Sequence, residues 1–112
     1  MDKFFEFSEL WLLNIVKFKS SVDQAYIEKV FHQIENISKT NKIIFDLSKV
    51  DFINSTFIGY MSHLHDLTVK QWWFLIICWC NERVWDIFNL TWIFDLVPYY
   101  STLEEAIRHT KA

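Results

Sequence analysis

Glycine is almost absent from this chain, and its scarcity limits the kinds of site the chain can build. Gly59 is the single glycine among 112 residues. Average usage near 7% would give about eight. The dinucleotide fingerprint, the P-loop and the kinase loop all cradle phosphate in a loop with several glycines. One glycine therefore excludes these three classes of nucleotide site.

The charge and length of the chain further limit its possible partners and its domain organisation. Eleven basic and 14 acidic residues give a net charge of −3. Without a basic surplus to displace counterions from phosphates, we expect no nucleic acid partner. A length of 112 residues suits one domain, so we expect residues 1–112 to form a single domain. The apolar fraction of 52% is enough to fill a core and excludes disorder.

The distribution of apolar residues bears on localisation. Asp2, Glu6 and Glu9 interrupt the stretch in which a signal peptide needs an apolar segment. The longest apolar run, Trp72–Cys80, has nine residues, and a membrane helix needs about 20. We therefore expect a cytoplasmic protein with no membrane insertion.

Side chains that could carry catalysis or hold a metal ion are scattered. His63 and His65 stand about 200° apart on a predicted helix, so they cannot bind one metal ion from one face. Cys78 and Cys80 lie two residues apart in a predicted strand, which places both on one face and favours buried thiols over a redox or zinc site. The sequence contains no G-x-S-x-G motif. We expect a protein that is not an enzyme and uses no cofactor.

The hydrophobic pattern predicts an α/β fold. It predicts two short strands or a hairpin within residues 3–19 with a turn near Ser8–Glu9, strands at 42–47, 74–79 and 93–97, and helices at 22–37, 55–69, 81–89 and from Leu103. Capping boxes beginning at Ser21 and Ser101 precede two of the helices. Because strands and helices alternate after the first pair, we expect a mixed sheet of about four to five strands, largely parallel at its centre, with about four helices packed against it.

Three short polar residues, Asn54, Ser55 and Thr56, stand together at the start of the second predicted helix. Their simplest role is capping, because Asn, Ser and Thr are preferred at helix N-termini. A hydroxyl at a helix N-terminus can also accept a phosphate, since free N–H groups and the positive end of the helix dipole face the added charge. The residues alone leave both interpretations open.

The run KIIFDLSKVDFINSTFIGYM, at residues 42–61, resembles the signature stretch of the STAS domain, the fold of bacterial anti-sigma-factor antagonists. The family shows a strand, an Asp-Leu-Ser-like turn, a Val-Asp-Phe-like segment and an Asp-Ser-Ser-Gly-Leu-Gly-like helix start in this order. Residues 81–90 resemble its short helix, and Leu96-Val97-Pro98 with Ser101–Ala106 resemble its last strand and helix. The resemblance covers roughly residues 10–110 and implies a STAS-like fold.

The resemblance also implies a phosphorylation-controlled partner switch. In the family, an anti-sigma factor with serine kinase activity phosphorylates a hydroxyl at this helix start and is then released, and a serine phosphatase resets the antagonist. Ser55 matches the phosphorylated serine, and the expected partner-binding residues are Asn54, Ser55, Thr56, Phe57, Ile58 and Gly59. Asn54 replaces an Asp of the family pattern. Phe57 replaces its first glycine, which we expect to place an aromatic ring beside the docking surface.

Tryptophans depart from the family pattern in the second half of the chain. Trp72 and Trp73 fall where the family turns from helix to strand through glycines, and Trp92 falls at a glycine that ends a helix. A left-handed residue often ends a helix, and Trp adopts that conformation only at a cost. Trp79 and Trp85 flank the last strand and helix. Exposed Trp side chains would favour self-association, and buried ones would fill the core or close gaps at the sheet edge.

Two other functions remain open at this stage. A STAS-like accessory subunit would dock constitutively on a transport ATPase through the same helix face. A binder of small apolar ligands would line a pocket with the tryptophans of the second half.

Overall fold

The chain forms a five-stranded sheet with helices on both faces. The computed structural model describes residues 4–10, 13–38 and 42–110. In these ranges the strands are β1 (Phe5–Leu10), β2 (Leu13–Phe18), β3 (Lys42–Asp46), β4 (Leu75–Cys78) and β5 (Tyr99–Tyr100). The helices are α1 (Ile27–Ser38), α2 (Ser55–Lys70), α3 (Glu82–Leu90) and α4 (Leu103–Thr110), with short 3-10 helices at Gln24–Tyr26 and Ile93–Asp95. These elements confirm the predicted mixed sheet with four helices.

The strands stand side by side in chain order. β1 runs antiparallel to β2, and each later strand runs parallel to the one before it. Because parallel neighbours need a long crossover connection, the helices α1, α2 and α3 fill the three connections. The carboxyl ends of β3 and β4 consequently meet at one edge of the sheet. The segments leading to Ser55 and Asn81 begin at that edge.

The two faces of the sheet carry separate cores. β3 shows the division, because Ile43 and Phe45 join the larger cluster and Ile44 joins the smaller one. The larger cluster includes buried side chains of α1, α2 and α3, and the smaller one is covered by α4 through Ala106. A strand buried on both faces is expected to be nearly continuously apolar, as residues 43–45 at the centre of the predicted strand are.

The first hairpin turns later than predicted. Ser8 and Glu9 lie within β1 and pair with Ile15 and Asn14, so the turn expected near Ser8–Glu9 is wrong. The last pair of the register is Leu10 with Leu13. The residues between them lie outside the described part of the chain. Polar residues can continue β1 because it is an edge strand, and Ser8 and Glu9 are exposed.

The segment before α1 also differs from the prediction. A helix was expected from Val22 with Ser21 as its cap, but Asp23 caps the 3-10 helix by accepting a hydrogen bond from the backbone N–H of Ala25 at 3.1 Å. The Ser21 hydroxyl is engaged elsewhere and accepts hydrogen bonds from the N–H groups of Asp51 and Phe52. The N-terminal cap thus moves by two residues because a distant loop binds the serine.

The predicted last strand at 93–97 is wrong. Ile93 and Val97 are both buried four residues apart, which is a helical spacing, and the N–H of Val97 donates to the carbonyl oxygen of Ile93 at 2.9 Å. The last strand instead follows Pro98, whose carbonyl oxygen accepts from the N–H of Ile77.

The cap of α4 also lies one residue later than predicted. Thr102, rather than Ser101, accepts a hydrogen bond from the N–H of Glu105 at 3.1 Å. The helix still begins at Leu103, as expected.

A left-handed residue, Trp79, separates the two cysteines. A strand was expected through Trp79, but β4 ends at Cys78 and Trp79 has a φ of 54°. Cys78 lies in the smaller core, whereas Cys80 packs against the larger one. The prediction that both thiols share a face is wrong, because the left-handed residue between them ends the alternation of the strand.

Candidate functional site

The loop between β3 and α2 forms the base of the candidate site. It begins with a turn in which Asp46 Oδ1 accepts a hydrogen bond from the N–H of Ser48 at 2.9 Å. The N–H of Val50 donates to the carbonyl oxygen of Leu47 at 3.1 Å. Leu47, Val50 and Ile53 are buried. Apolar anchors at these three positions hold the loop against the larger core.

Two side chains from other elements fix the exposed part of this loop. The Ser21 hydroxyl accepts from the N–H of Asp51 at 2.9 Å and from that of Phe52 at 3.1 Å. On the other side, Asn81 Nδ2 donates to the carbonyl oxygen of Val50 at 3.0 Å. Asn81 also caps α3, since its Oδ1 accepts from the N–H of Val84 at 2.8 Å. The loop is therefore attached to the segments that precede α1 and α3.

Asn54 is the N-cap of α2. Its Oδ1 accepts a hydrogen bond from the N–H of Phe57 at 2.9 Å, and its Nδ2 donates to Oε1 of Gln24 at 3.1 Å. Gln24 Nε2 in turn donates to Thr56 Oγ1 at 3.4 Å. We call Gln24, Asn54 and Thr56 the amide clasp. It joins the 3-10 helix before α1 to the two residues that flank Ser55.

Ser55 is the first residue of α2 and is exposed. Its hydroxyl makes no hydrogen bond to any residue in the described ranges. The neighbours that cap the helix and form the clasp leave this hydroxyl facing solvent. Such a group is open to modification, and an added phosphate would lie near the positive end of the helix dipole.

The six expected partner-binding residues do not all share the exposed surface. Ser55 and Gly59 are exposed, and Asn54, Thr56 and Ile58 are partly buried. Phe57 is only 2% exposed, and its ring lies in the core with centroids 5.1 Å from Phe31 and 5.6 Å from Phe18. The expectation that Phe57 adds an aromatic ring to the docking surface is wrong.

Phe52 supplies the exposed aromatic ring that the sequence prediction assigned to Phe57. Its side chain is 52% exposed on the loop that leads to Ser55. The sequence offers little signal for this exposure, because Phe52 stands in the same apolar connector as Val50 and Ile53, which are both buried. A partner that contacts Ser55 can thus meet an aromatic group on the preceding loop.

Three tryptophans of the second half are exposed to solvent. Trp72, Trp79 and Trp92 are 93%, 48% and 73% exposed. A groove of about 900 Å³ lies between β1 and α1, and no tryptophan lines it. No group of three His, Cys, Asp or Glu residues in the described ranges could hold a metal ion. Over the same residues, no helix is long and apolar enough to cross a membrane.

Comparison with known protein families identifies the family of this chain. The model of the STAS domain matches residues 12–106. This chain belongs to the STAS-domain family. No curated protein sequence matches it.

Solved structures of STAS proteins share the fold. A candidate anti-sigma factor antagonist from Thermotoga maritima superposes with a TM-score of 0.90 at 19% identity, covering 98% of this chain and 97% of that one. An anti-sigma factor antagonist from Mycobacterium paratuberculosis gives a TM-score of 0.85 at 15% identity, covering 96% and 93%. The phosphorylated form of the Bacillus cell fate determinant SpoIIAA gives 0.73 at 15% identity, covering 95% and 98%. At these identities the likeness shows a common STAS fold.

Proposed function

We propose that this STAS domain is an anti-sigma-factor antagonist whose binding is controlled by phosphorylation of Ser55. In the unmodified state it binds an anti-sigma factor with serine kinase activity. That partner phosphorylates Ser55 and is released, and a serine phosphatase restores the hydroxyl. The domain itself acts as a binding module without catalysis. The observation that carries this proposal is the exposed Ser55 hydroxyl at the first position of α2.

The geometry supports a switch that leaves the fold intact. A phosphate adds a charge of about −1.5 to −2. The N-terminus of α2 can stabilise that charge by about 0.3–1 kcal/mol. In a docked interface the same charge can cost several kcal/mol, and a loss of about 3 kcal/mol weakens a complex roughly a hundredfold. Phosphorylation would therefore release the partner without unfolding the domain.

Membership of the STAS family and the fold shared with anti-sigma factor antagonists support the class of partner. One of the structurally similar proteins, SpoIIAA, has a solved structure in its phosphorylated form. In the present chain Asn54 caps α2 where the family pattern has Asp, so the helix start is maintained without a carboxylate. We expect the cognate kinase to recognise an uncharged residue before the phosphoacceptor.

The test compares Ser55→Ala with Ser55→Asp in binding to proteins captured from host lysate, followed by calorimetry with the purified kinase partner. The Ala variant should bind and the Asp variant should bind more weakly, because only the second places charge in the interface. Ser101→Asp is the matched control, since it adds the same charge at an exposed serine before α4. With the kinase and ATP, intact mass should show one phosphate and peptide mapping should place it on Ser55.

Two results would contradict the proposal. A phosphate found mainly on Thr56 or Ser101, or none with an active kinase, would remove Ser55 as the switch. Equal affinities of the Ala and Asp variants would favour constitutive docking, as in the accessory subunit of a transport ATPase.

A further inference from the structure

Three residues in the described chain other than glycine have a left-handed backbone, and all three are tryptophans. The φ angles are 66° at Trp72, 54° at Trp79 and 61° at Trp92. Only a few per cent of residues other than glycine adopt positive φ, and Asn, Asp and His are enriched among them. A bulky side chain at all three left-handed positions requires a specific cause.

Two of these positions belong to helix ends that are built for glycine. After α2, the N–H of Trp72 donates to the carbonyl oxygen of Val69 and the N–H of Trp73 to that of Thr68, both at 2.9 Å. This pair of bonds is the Schellman motif, and Trp72 holds its left-handed C′ position. Trp92 holds the same position after α3, where its N–H donates to the carbonyl oxygen of Asn89 at 3.4 Å. Glycine is the usual C′ residue because it has no Cβ to clash with the neighbouring carbonyl.

Trp79 terminates β4 rather than a helix. Its N–H donates to the carbonyl oxygen of Tyr100 at 3.3 Å, and the chain then turns toward the Asn81 cap of α3. A left-handed residue between a strand and a helix start is again a position at which glycine avoids strain.

The indole rings at these three positions make little packing contact that could offset the backbone strain. Trp72 is 93% exposed, Trp92 73% and Trp79 48%. Over the described residues none of these three rings stacks on another aromatic ring. Trp85 shows the contrast, because it lies within α3 and its ring centroid is 4.6 Å from that of Phe94 and 4.7 Å from that of Tyr99.

The one glycine of the chain stands where the backbone does not need it. Gly59 lies in α2 without a positive φ, and a Cβ added there would meet no atom within 4 Å. The chain has six tryptophans and one glycine. In the described residues the left-handed positions, which favour glycine, carry tryptophan, and the glycine lies where φ is negative.

We infer that positions 72, 79 and 92 are occupied by glycine in the protein as its own cells make it. A codon that is read as tryptophan in this sequence is decoded as glycine during its synthesis. This single cause accounts for the left-handed backbone at all three positions and for part of both the excess of tryptophan and the scarcity of glycine. It rests on backbone geometry and is independent of the function proposed for Ser55.

The inference changes the surface that a partner meets. Trp79 follows β4 at the sheet edge from which the loop toward Ser55 also begins. With glycine at positions 72, 79 and 92, the exposed indoles are absent from that edge and from the two helix ends. A tryptophan-rich surface for self-association would then lose these three indoles.

The decisive experiment is peptide mass mapping of the protein isolated from its native cells. Tryptic cleavage after Lys70, Arg83 and Arg108 gives one peptide with Trp72, Trp73 and Trp79 and a second with Trp85 and Trp92. Fragment ions should assign glycine to positions 72, 79 and 92, with a recombinant chain that carries tryptophan at these positions as the reference. Tryptophan at any of these three positions in the native protein would overturn the inference.

A second measurement tests the structural premise on recombinant protein. Replacing Trp72, Trp79 and Trp92 together by glycine should raise the midpoint of denaturant unfolding, because strain is removed and little packing is lost. Trp85→Gly is the matched control and should lower the midpoint, since it removes ring contacts and places glycine inside a helix. A triple variant that unfolds at a lower midpoint than the parent chain would overturn the premise.

Discussion

Asn54 Nδ2 lies 3.1 Å from Gln24 Oε1, and this hydrogen bond connects residues 30 positions apart on either side of α1. Gln24 also donates to Thr56, so one glutamine contacts both neighbours of Ser55. The presentation of the Ser55 hydroxyl consequently depends on a side chain outside the motif that resembles the family signature.

Gln24→Ala should loosen the start of α2 without a large loss of global stability. The clasp bonds are exposed, so we expect the free energy of unfolding to change by no more than about 0.5 kcal/mol. Hydrogen exchange at the amide of Phe57 should become faster, because Asn54 loses the partner that holds its cap geometry. Gln33→Ala, at an exposed glutamine within α1, should leave the exchange of this amide unchanged. Equal exchange rates in the Gln24 variant and the parent would contradict a positioning role.

Removing the cap should have a larger effect on stability. Asn54→Ala deletes the acceptor of the Phe57 N–H and should lower the free energy of unfolding by about 1 kcal/mol. Asn54→Asp keeps an acceptor and adds a negative charge at the positive end of the helix dipole, so it should retain most of that stability. Urea denaturation of the three proteins measures both effects. An Asp variant as unstable as the Ala variant would show that the cap is not the source of the loss.

Phe57 and Phe52 should differ sharply in their contribution to stability. Phe57→Ala empties a buried site between Phe18 and Phe31 and should cost about 3–5 kcal/mol. Phe52 is 52% exposed, so Phe52→Ala should change stability by only about 0.5 kcal/mol. Chemical denaturation compares them, and partner binding should weaken mainly in the Phe52 variant. Similar losses of stability in the two variants would contradict the inward orientation of Phe57.

The buried thiol of Cys78 and the partly buried thiol of Cys80 should make stability fall in alkaline solution. Burial is the main cause that raises the pKa of Cys78 to about 12 and that of Cys80 to about 11, from an ordinary value of 9.0. The negative charge of Asp46 adds to the shift at Cys78. Above pH 9 the unfolded chain releases thiol protons that the folded chain retains, so the free energy of unfolding decreases as the pH rises toward the folded pKa values.

The alkaline effect is measured by thermal unfolding of the parent and of Cys78→Ala between pH 8 and pH 11. The decline should be shallower in the variant, which lacks the thiol with the larger shift. The other groups that titrate in this range are present in both proteins, and loss of the Cys78 charge also removes one of the causes that raise the pKa of Tyr99, which acts in the same direction. Parallel declines would show that Cys78 is not the responsible group.

Local patterns located the centre of the fold and the start of α2. The nearly continuous apolar run at 42–47 predicted β3 because a strand covered on both faces does not alternate between apolar and polar residues. The polar triplet Asn54-Ser55-Thr56 marked the helix start for the same reason that makes Asn54 its cap. The resemblance to the STAS signature then selected Ser55, which the residues alone did not distinguish from a capping serine.

The predictions that failed depend on interactions outside a local window. The register of α2 is set by the Asn54 cap, and it turns the row Phe57, Met61 and Leu64 inward, so a replacement for a family glycine became a core residue. Ser21 binds a loop 30 residues away, which no capping pattern encodes. Trp79 was placed in a strand because its neighbours are apolar, and hydrophobicity carries no information about the sign of φ.

The chain order of the strands bears on how the protein is assembled during translation. Each strand pairs with the one synthesised just before it, so no strand has to insert between two that are already paired. The sheet can grow at one edge as the nascent chain leaves the ribosome. A chain that ends before Asn81 already contains Ser55, yet it lacks the side chain that binds the carbonyl oxygen of Val50. The segment that presents Ser55, the proposed phosphoacceptor, is thus completed only after synthesis has passed the first turn of α3.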